Sequence, residues 1–185
     1  MGYHDFMRGI LTELESALSS VDGQTADDFA DALITANRVF TVGVGRVELS
    51  LLAFVKRLNH IGISATYVGA INEPAIGADD VLVIGSGSGE TAVPAAIAKI
   101  AKKYGAKLIH IGSNTAGAVS ALADCVIRIP CRTKLSLPDE IGSIQPMSSL
   151  FEQSLLLFLD ITAMMIIEKK SVDIHKLWHT HANLE

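Results

Sequence analysis

Apolar residues in this chain fall into short continuous runs, separated by longer stretches in which they recur every three or four positions. The runs Val39–Val44, Ala65–Val68, Val81–Ile84, Lys107–Ile111 and Val126–Ile129 are too short for helices and barely alternate, which is the signature of strands buried on both faces. Between them, residues 47–61, 90–104 and 115–122 carry the helical period, with a short turn near Glu73–Ile76. Two further helices are predicted ahead of the first strand, over 5–20 and 25–37, divided at Asp22-Gly23 with Thr25 as the N-cap. Regular alternation of strand and helix predicts a parallel α/β sheet with helices on both faces. Pro130 to Pro146 has no periodicity, and a connection of that length in a small domain is usually functional or mobile.

The last long helix, 148–169, breaks the amphipathic pattern because it is apolar nearly all round. It carries Glu152, Gln153 and Asp160, and an acid near the centre of a membrane span costs roughly 2.5–3.5 kcal/mol. The helix therefore reads as buried in protein, with a subunit contact covering what one small domain leaves exposed. At 185 residues without internal repeats, the chain is expected to form one domain over 1–185, with N-terminal helices 5–37 and a C-terminal helix and tail 148–185. A net charge of -5 with no basic stripe argues against a nucleic-acid partner, and the pairs Lys102-Lys103 and Lys169-Lys170 read as solvated helix faces. Cys125 and Cys131 lack both CxxC spacing and metal-binding companions, the usage of reduced thiols in a cytoplasmic protein. The N-terminal MGYHDFMRGI has no apolar signal core, and Phe6 stands where a myristoylation motif requires Ser or Thr.

Chemistry concentrates where strands turn into helices. Ligands of a parallel sheet bind beyond the carboxyl ends of its strands, and two turns of this chain arrive there: Gly43-Val44-Gly45-Arg46 and Ser86-Gly87-Ser88-Gly89-Glu90-Thr91. In the second, glycines let the backbone close on a ligand while Ser86, Ser88 and Thr91 offer hydroxyls. The helix beginning near Glu90 adds free amides and the positive end of its dipole. The combination suits a phosphate. No lysine follows the glycines, so the turn is not a Walker loop. Gly43-x-Gly45 continues to Glu48, and the second strand ends Val68-Gly69 without a ribose-binding acid, so neither is it a dinucleotide fingerprint. A phosphorylated small molecule is left as the expected ligand.

The segments GVGR (43–46), GSGSGET (85–91), LIHIGS (108–113) and ADCVIRIP (123–130) resemble the sugar isomerase (SIS) family. Within that family, IQPMSSLFEQSLLLFLD (144–160) and the closing HANLE (181–185) are similar to the 6-phospho-3-hexuloisomerases. The resemblance covers nearly the whole chain. It implies a flavodoxin-like three-layer α/β/α fold with a five-stranded parallel sheet, and a homotetramer with active sites near subunit contacts. It further implies interconversion of D-arabino-hex-3-ulose 6-phosphate and D-fructose 6-phosphate, without metal or organic cofactor, in formaldehyde fixation or in ribose 5-phosphate supply. Where the family reads Gly-Arg-Ser-Gly, this chain has Gly45-Arg46-Val47-Glu48. One hydrogen bond is lost, worth roughly 0.5–1.5 kcal/mol, and a carboxylate is placed near a bound phosphate. The tail reads His179-Thr180-His181 where the family has adjacent histidines.

Moving a carbonyl to the neighbouring carbon needs a base that removes a proton from one carbon and returns it to the next through an enediol. Glu152 matches the SLFEQ glutamate of the family; on spacing alone it serves equally well as a charge complementing the start of its helix. Fructose 6-phosphate is mostly a closed furanose, and His181, matching the HANLE histidine, is the implied proton carrier for ring opening. A solvated tail is the other reading of His175, His179 and His181, and for His175 it is the one adopted. His175 and His179 have helical spacing for a metal but no third ligand. Arg46 and backbone amides are expected to stabilise the enediolate. Gly45, Gly87 and Gly89 complete the expected substrate site, while His60, Lys56 and Arg57 read as surface groups and His110 as a satisfied core residue. Two other functions stay open: a different phosphosugar isomerase, with Val47 and Glu48 reshaping the pocket, and a non-catalytic sugar-phosphate-binding protein. The second is disfavoured by the retention of Glu152 and His181 and by the lack of room for an attached DNA-binding domain.

Overall fold

Every residue of the first and third strands is buried, and successive side chains serve opposite layers. The computed structural model describes residues 1–181, Asn183 and Leu184, so Ala182 and Glu185 of the closing HANLE motif lie outside the described residues. Strands β1 (Val39–Val42), β2 (Ala65–Tyr67), β3 (Val81–Gly85), β4 (Lys107–Gly112) and β5 (Cys125–Arg128) form a parallel sheet in the order β2-β1-β3-β4-β5. This is the flavodoxin-like order, with its switch point between β1 and β3. Helices α1 (Tyr3–Ser19), α2 (Gly23–Thr35), α3 (Arg46–His60), α4 (Ala92–Lys103) and α5 (Ser149–Lys169) supply the outer layers.

Period-two alternation sorts the core. Val39, Val83, Ile109, Ile111 and Ile127 pack towards α2, α3 and α5, with Phe29, Phe54 and Phe158 filling that layer. Phe40, Val42, Leu82, Ile84 and Leu108 face α4 through Ala98 and Ala101. The alanines let α4 lie close to the sheet. Pro94 sits in the first turn of α4, where its missing N–H has no intrahelical partner to lose.

Three local expectations change. The cap of α2 is Asp22, whose carboxylate accepts the Thr25 amide at 2.8 Å and the Thr25 hydroxyl at 2.6 Å; Thr25 supports the cap instead of being it. The 115–122 segment forms only a 3-10 turn, Ser120–Leu122. Its remainder braces the turn after β3: a Cβ on Gly117 would come within 3.0 Å of the Gly89 backbone. The helix expected from residue 90 begins at Ala92, because Glu90 and Thr91 still belong to that turn.

Helix α5 explains its own composition. It packs against α1, α2 and α3 through Leu150, Phe151, Leu155, Phe158, Leu159, Ala163 and Ile166, with Phe158 stacked on Phe29 at 5.8 Å. It is long and apolar enough to cross a bilayer, yet half of it is core. Its apolar excess lies on an exposed strip of Leu156, Leu157, Ile161 and Met164. Phe158 therefore belongs to the interior of the chain and Leu156 to its surface. Both cysteines are free thiols, and burial pushes Cys131 up to about 11, which leaves it protonated and inert.

His110, in mid-strand on β4, is fully buried. Its Nε2 is 2.9 Å from the Ser86 carbonyl and its Nδ1 is 2.8 Å from the Ser120 hydroxyl. Burial drives its pKa below the ordinary imidazole value against the opposing pull of the Ser86 carbonyl. The neutral ring then donates from Nε2 and accepts at Nδ1. The native state binds fewer protons than the unfolded chain once pH falls to about 6.5, so stability should decline from there downwards. His60, expected at the surface, is instead 8% exposed beneath the tail; pushed down by burial and by Lys56 and Arg57, it adds to the same slope. Urea midpoints between pH 7.5 and 5 should show this decline. His110→Gln, which retains an N–H for Ser86, should flatten it in part; an unchanged slope would locate the sensitivity elsewhere.

Candidate active site

The turn leaving β3 has to satisfy four carbonyl groups that no strand partner reaches. All four are bonded to the segment that follows β4, or to the turn itself. Ser86 O accepts from Gly89 N (3.1 Å) and His110 Nε2 (2.9 Å), and Gly87 O accepts from the Ser113 and Asn114 amides (both 3.0 Å). Ser88 O accepts from Asn114 Nδ2 (3.0 Å) and Gly89 O from the Val119 amide (3.0 Å). A planar trans peptide sets its N–H opposite its C=O, so anchoring the Ser86 and Gly87 carbonyls turns the Gly87 and Ser88 amides the other way, towards the cleft those residues line. Gly89 has φ +66° and sits against Gly117 and His110, a place for glycine alone. The Ser86 and Thr91 hydroxyls are 3.2 Å apart, and Ser88 Oγ accepts the Glu90 amide at 3.3 Å. Thr91 caps α4 without a side-chain bond to the helix, so its hydroxyl stays available beside Ser86.

These groups form one side of a cleft of about 290 Å³. The other side is Thr133, Lys134, Met147, Ser148, Phe151 and Glu152. Glu152 lies in the first turn of α5 with its side chain 15% exposed, and it is bonded by Arg46 Nε. Ser50 of α3 donates to the Glu152 carbonyl at 3.1 Å, which locks α3 to α5 at this level. Gly45 introduces α3 with φ +62° and ψ -131°, a conformation closed to side-chain-bearing residues, and so swings Arg46 over to α5.

The structure thus brings Ser86, Gly87, Ser88, Thr91 and Glu152 around one cleft, with Gly89 holding the turn. Arg46 stands a step outside. Its side chain is 64% exposed and lines a neighbouring groove of about 240 Å³ between α3 and α5, with Leu49, Ser50, Ala53, Gln153 and Leu156. Val47 lines the cleft with an apolar branch, whereas Glu48 is not among its lining residues. His181 is not gathered into this cleft from its own chain. The tail forms a 3-10 turn, Ile174–Thr180, whose Thr180 hydroxyl donates to the His60 carbonyl at 2.8 Å, and the His181 ring lies 5.2 Å from that of His60. His60 ends α3 and Arg46 begins it. At 1.5 Å per residue the two ends are roughly 20 Å apart, with Glu152 at the Arg46 end.

Sequence reasoning named Glu152 on the second wall and missed the rest of it. Thr133 and Lys134 come from the 130–146 connection, which is ordered by Glu140: its carboxylate accepts the Thr133 amide (3.0 Å) and hydroxyl (2.6 Å), the Leu137 amide (3.0 Å) and the Ser113 hydroxyl (3.2 Å). Lys134, itself exposed, is the one basic residue among the described residues that line the cleft. Only the length of the connection and the IQPMSS segment hinted at this, because a loop without periodicity does not announce which of its side chains turns inward.

Comparison with known proteins identifies the family and agrees with the fold. A 3-hexulose-6-phosphate isomerase of Bacillus subtilis (strain 168) is 36% identical over 181 residues, spanning 98% of both chains. A protein of the same name from Mycobacterium gastri is 34% identical over 173 residues, covering 94% of this chain and 86% of that one. The crystal structure of a hypothetical protein from Methanococcus jannaschii, from which a 3-hexulose-6-phosphate isomerase function was inferred, superposes with a TM-score of 0.85 at 27% identity over 98% of this chain and 99% of its own. Residues 32–160, from the end of α2 through the strands and both walls of the cleft to mid-α5, match the SIS domain, and the chain belongs to the SIS domain family.

Proposed function

We propose that this protein is a phosphosugar isomerase that interconverts D-arabino-hex-3-ulose 6-phosphate and D-fructose 6-phosphate through an enediol. The observation that carries the reading is the facing of a backbone-anchored Ser86–Thr91 turn and the Glu152 carboxylate across one cleft. The turn binds the phosphate through the Gly87 and Ser88 amides and the hydroxyls of Ser86, Ser88 and Thr91, assisted by the N-terminus of α4. Glu152 then takes the proton from carbon 2 of the 3-ulose and returns it to carbon 3 as the carbonyl moves the other way. Arg46, bonded to one carboxylate oxygen, orients the base. Lys134 supplies the positive charge in the cleft that the developing enediolate needs. Glu48, outside the cleft lining, does not oppose the phosphate; Val47 narrows the cleft near Gly85.

His181 reaches such a site from a second copy of the chain. The groove beside Glu152 runs into the exposed apolar strip of α5 at Leu156, and the Gln153 side-chain oxygen is buried there without a hydrogen-bond partner among the described residues. A homo-oligomer, a tetramer in full, that covers this strip can bring a partner's tail to the groove. The imidazole would open and close the furanose ring, a task separate from enolisation.

Exchange of the carbon-bound hydrogen with deuterated water tests the assignment of the base. Glu152→Gln should lose exchange by at least about 10²-fold while still binding sugar phosphate; exchange at the wild-type rate would place the base elsewhere. Ser88→Ala should raise KM about ten- to a hundred-fold, one charge-assisted hydrogen bond being worth roughly 1.5–3 kcal/mol. If wild-type protein exchanges with no sugar phosphate, the chain is a binder and not an isomerase.

Shared sites are tested by complementation. Glu152→Gln and His181→Ala chains, the first inactive and the second slowed on the cyclic substrate when alone, should recover activity when co-expressed, since mixed assemblies contain sites with both groups intact. Co-assembly without recovery would remove His181 from the shared site. Leu156→Glu should dissociate the assembly yet leave a folded chain, while Phe158→Glu should unfold it, a buried unpaired charge costing several kcal/mol. A wild-type monomer by light scattering at micromolar concentration would overturn the oligomer.

A further inference from the structure

Helix α1 (Tyr3–Ser19) precedes the residues that match the SIS domain, yet it touches the wall of the cleft. The Glu13 carboxylate accepts three hydrogen bonds from one short segment: the Ile144 amide at 2.6 Å, the Ser143 hydroxyl at 2.7 Å and Gln145 Nε2 at 2.9 Å. One turn earlier on the same face, α1 presents Gly9, where an added Cβ would lie 2.6 Å from Ile144 Cδ1. The helix and the segment therefore meet at two points, the Ile144 side chain seated against the Gly9 backbone and a carboxylate clasp. Two residues beyond the clasp, Met147 has φ +53°, a left-handed backbone that methionine adopts only where its surroundings hold it.

The clasped segment is part of the site. Gln145, Met147 and Ser148 line a compartment of about 390 Å³ with Arg132 and Lys134, and Met147, Ser148 and Lys134 continue into the cleft that holds Glu152. Ser149 starts α5, so any shift of residues 143–148 is passed to Glu152 one turn later. We propose that α1 is a strut of the active-site wall and that Glu13 is its positioning residue, fixing residues 143–148 and, through them, the start of α5. Burial pushes the Glu13 carboxyl up, but its three donors outweigh this and hold it below the usual carboxylate range, in keeping with a clasp that stays ionised. The role in turnover rests on the isomerase reading above; the role in ordering the segment does not.

The test uses the full-length chain with Glu13→Gln, Gly9→Val, Gln145→Ala and the Glu13→Gln/Gln145→Ala double variant. Amide exchange should accelerate at residues 143–148 in Glu13→Gln and Gly9→Val and remain unchanged in β1, β3 and β4. Turnover of fructose 6-phosphate should fall about ten- to a hundred-fold in kcat, the scale expected for a misplacement of about 1 Å, with a smaller change in KM and a nearly unchanged Tm. Because Glu13 acts through this segment, the double variant should lose less than the product of the two single losses. Wild-type exchange at 143–148 in Glu13→Gln overturns the strut, and so does accelerated exchange with unaltered kcat. Fully multiplicative losses would show that Glu13 acts by another route. If the wild-type chain turns over no sugar phosphate, the isomerase reading falls, and the strut still stands or falls by exchange at 143–148.

Discussion

The carboxyl ends of parallel strands leave the sheet as backbone with no neighbour to bond, and at the end of β3 this constraint organises the molecule. The carbonyls of residues 86–89 are fastened by His110, Ser113, Asn114, Val119 and the turn's own Gly89. Fastening them buries His110 with both ring nitrogens occupied and requires glycine where the turn passes Gly117. It also denies the 114–119 segment the geometry of a helix. Because each peptide is planar, the same bonds that satisfy the interior aim the remaining amides outward. An anion site of this kind is a by-product of satisfying the backbone and is rigid before any ligand arrives.

The opposite wall is built by another device. The seventeen-residue connection 130–146 is paired at an isolated bridge, where the Ile141 amide donates to the Pro130 carbonyl and the Arg132 amide to the Ile141 carbonyl, and carboxylates hold the rest, Glu140 gathering residues 133–137 and Glu13 gathering 143–145. Each accepts several short bonds from groups that would otherwise need water, which makes irregular backbone nearly as fixed as a strand. The cleft therefore lies between a wall braced by peptide geometry and a wall braced by side-chain charge. The second is the wall that bears Lys134 and leads into Glu152.

Helix α5 joins the two requirements of core and surface. Phe158 and its neighbours complete the layer over β1, β3 and β4, while Leu156, Ile161 and Met164 remain outside it. The Glu152 carboxylate stands where the buried face, the cleft and the exposed strip meet, paired to Arg46 across the groove. A helix apolar on every side thus has core contacts on one side and an exposed apolar strip on the other.

The strands, their parallel order and the Ser86–Thr91 turn were legible from residue order, because a run of buried Val and Ile and a cluster of glycines and hydroxyls are local properties of the chain. Glu152 was legible only through its resemblance to SLFEQ; its position in the helix fits a dipole charge equally well. Tertiary structure decided the rest. It separated Phe158 from Leu156, neighbours on a helix whose composition is the same all round. It drew Lys134 to the cleft from a segment that carries no periodic signal, and set Glu13 of α1 behind residues 143–145. It also left His181 beside His60, at the other end of α3 from Glu152. Sequence fixes what each short segment prefers; which distant segments meet depends on packing across the sheet, and no local pattern encodes that.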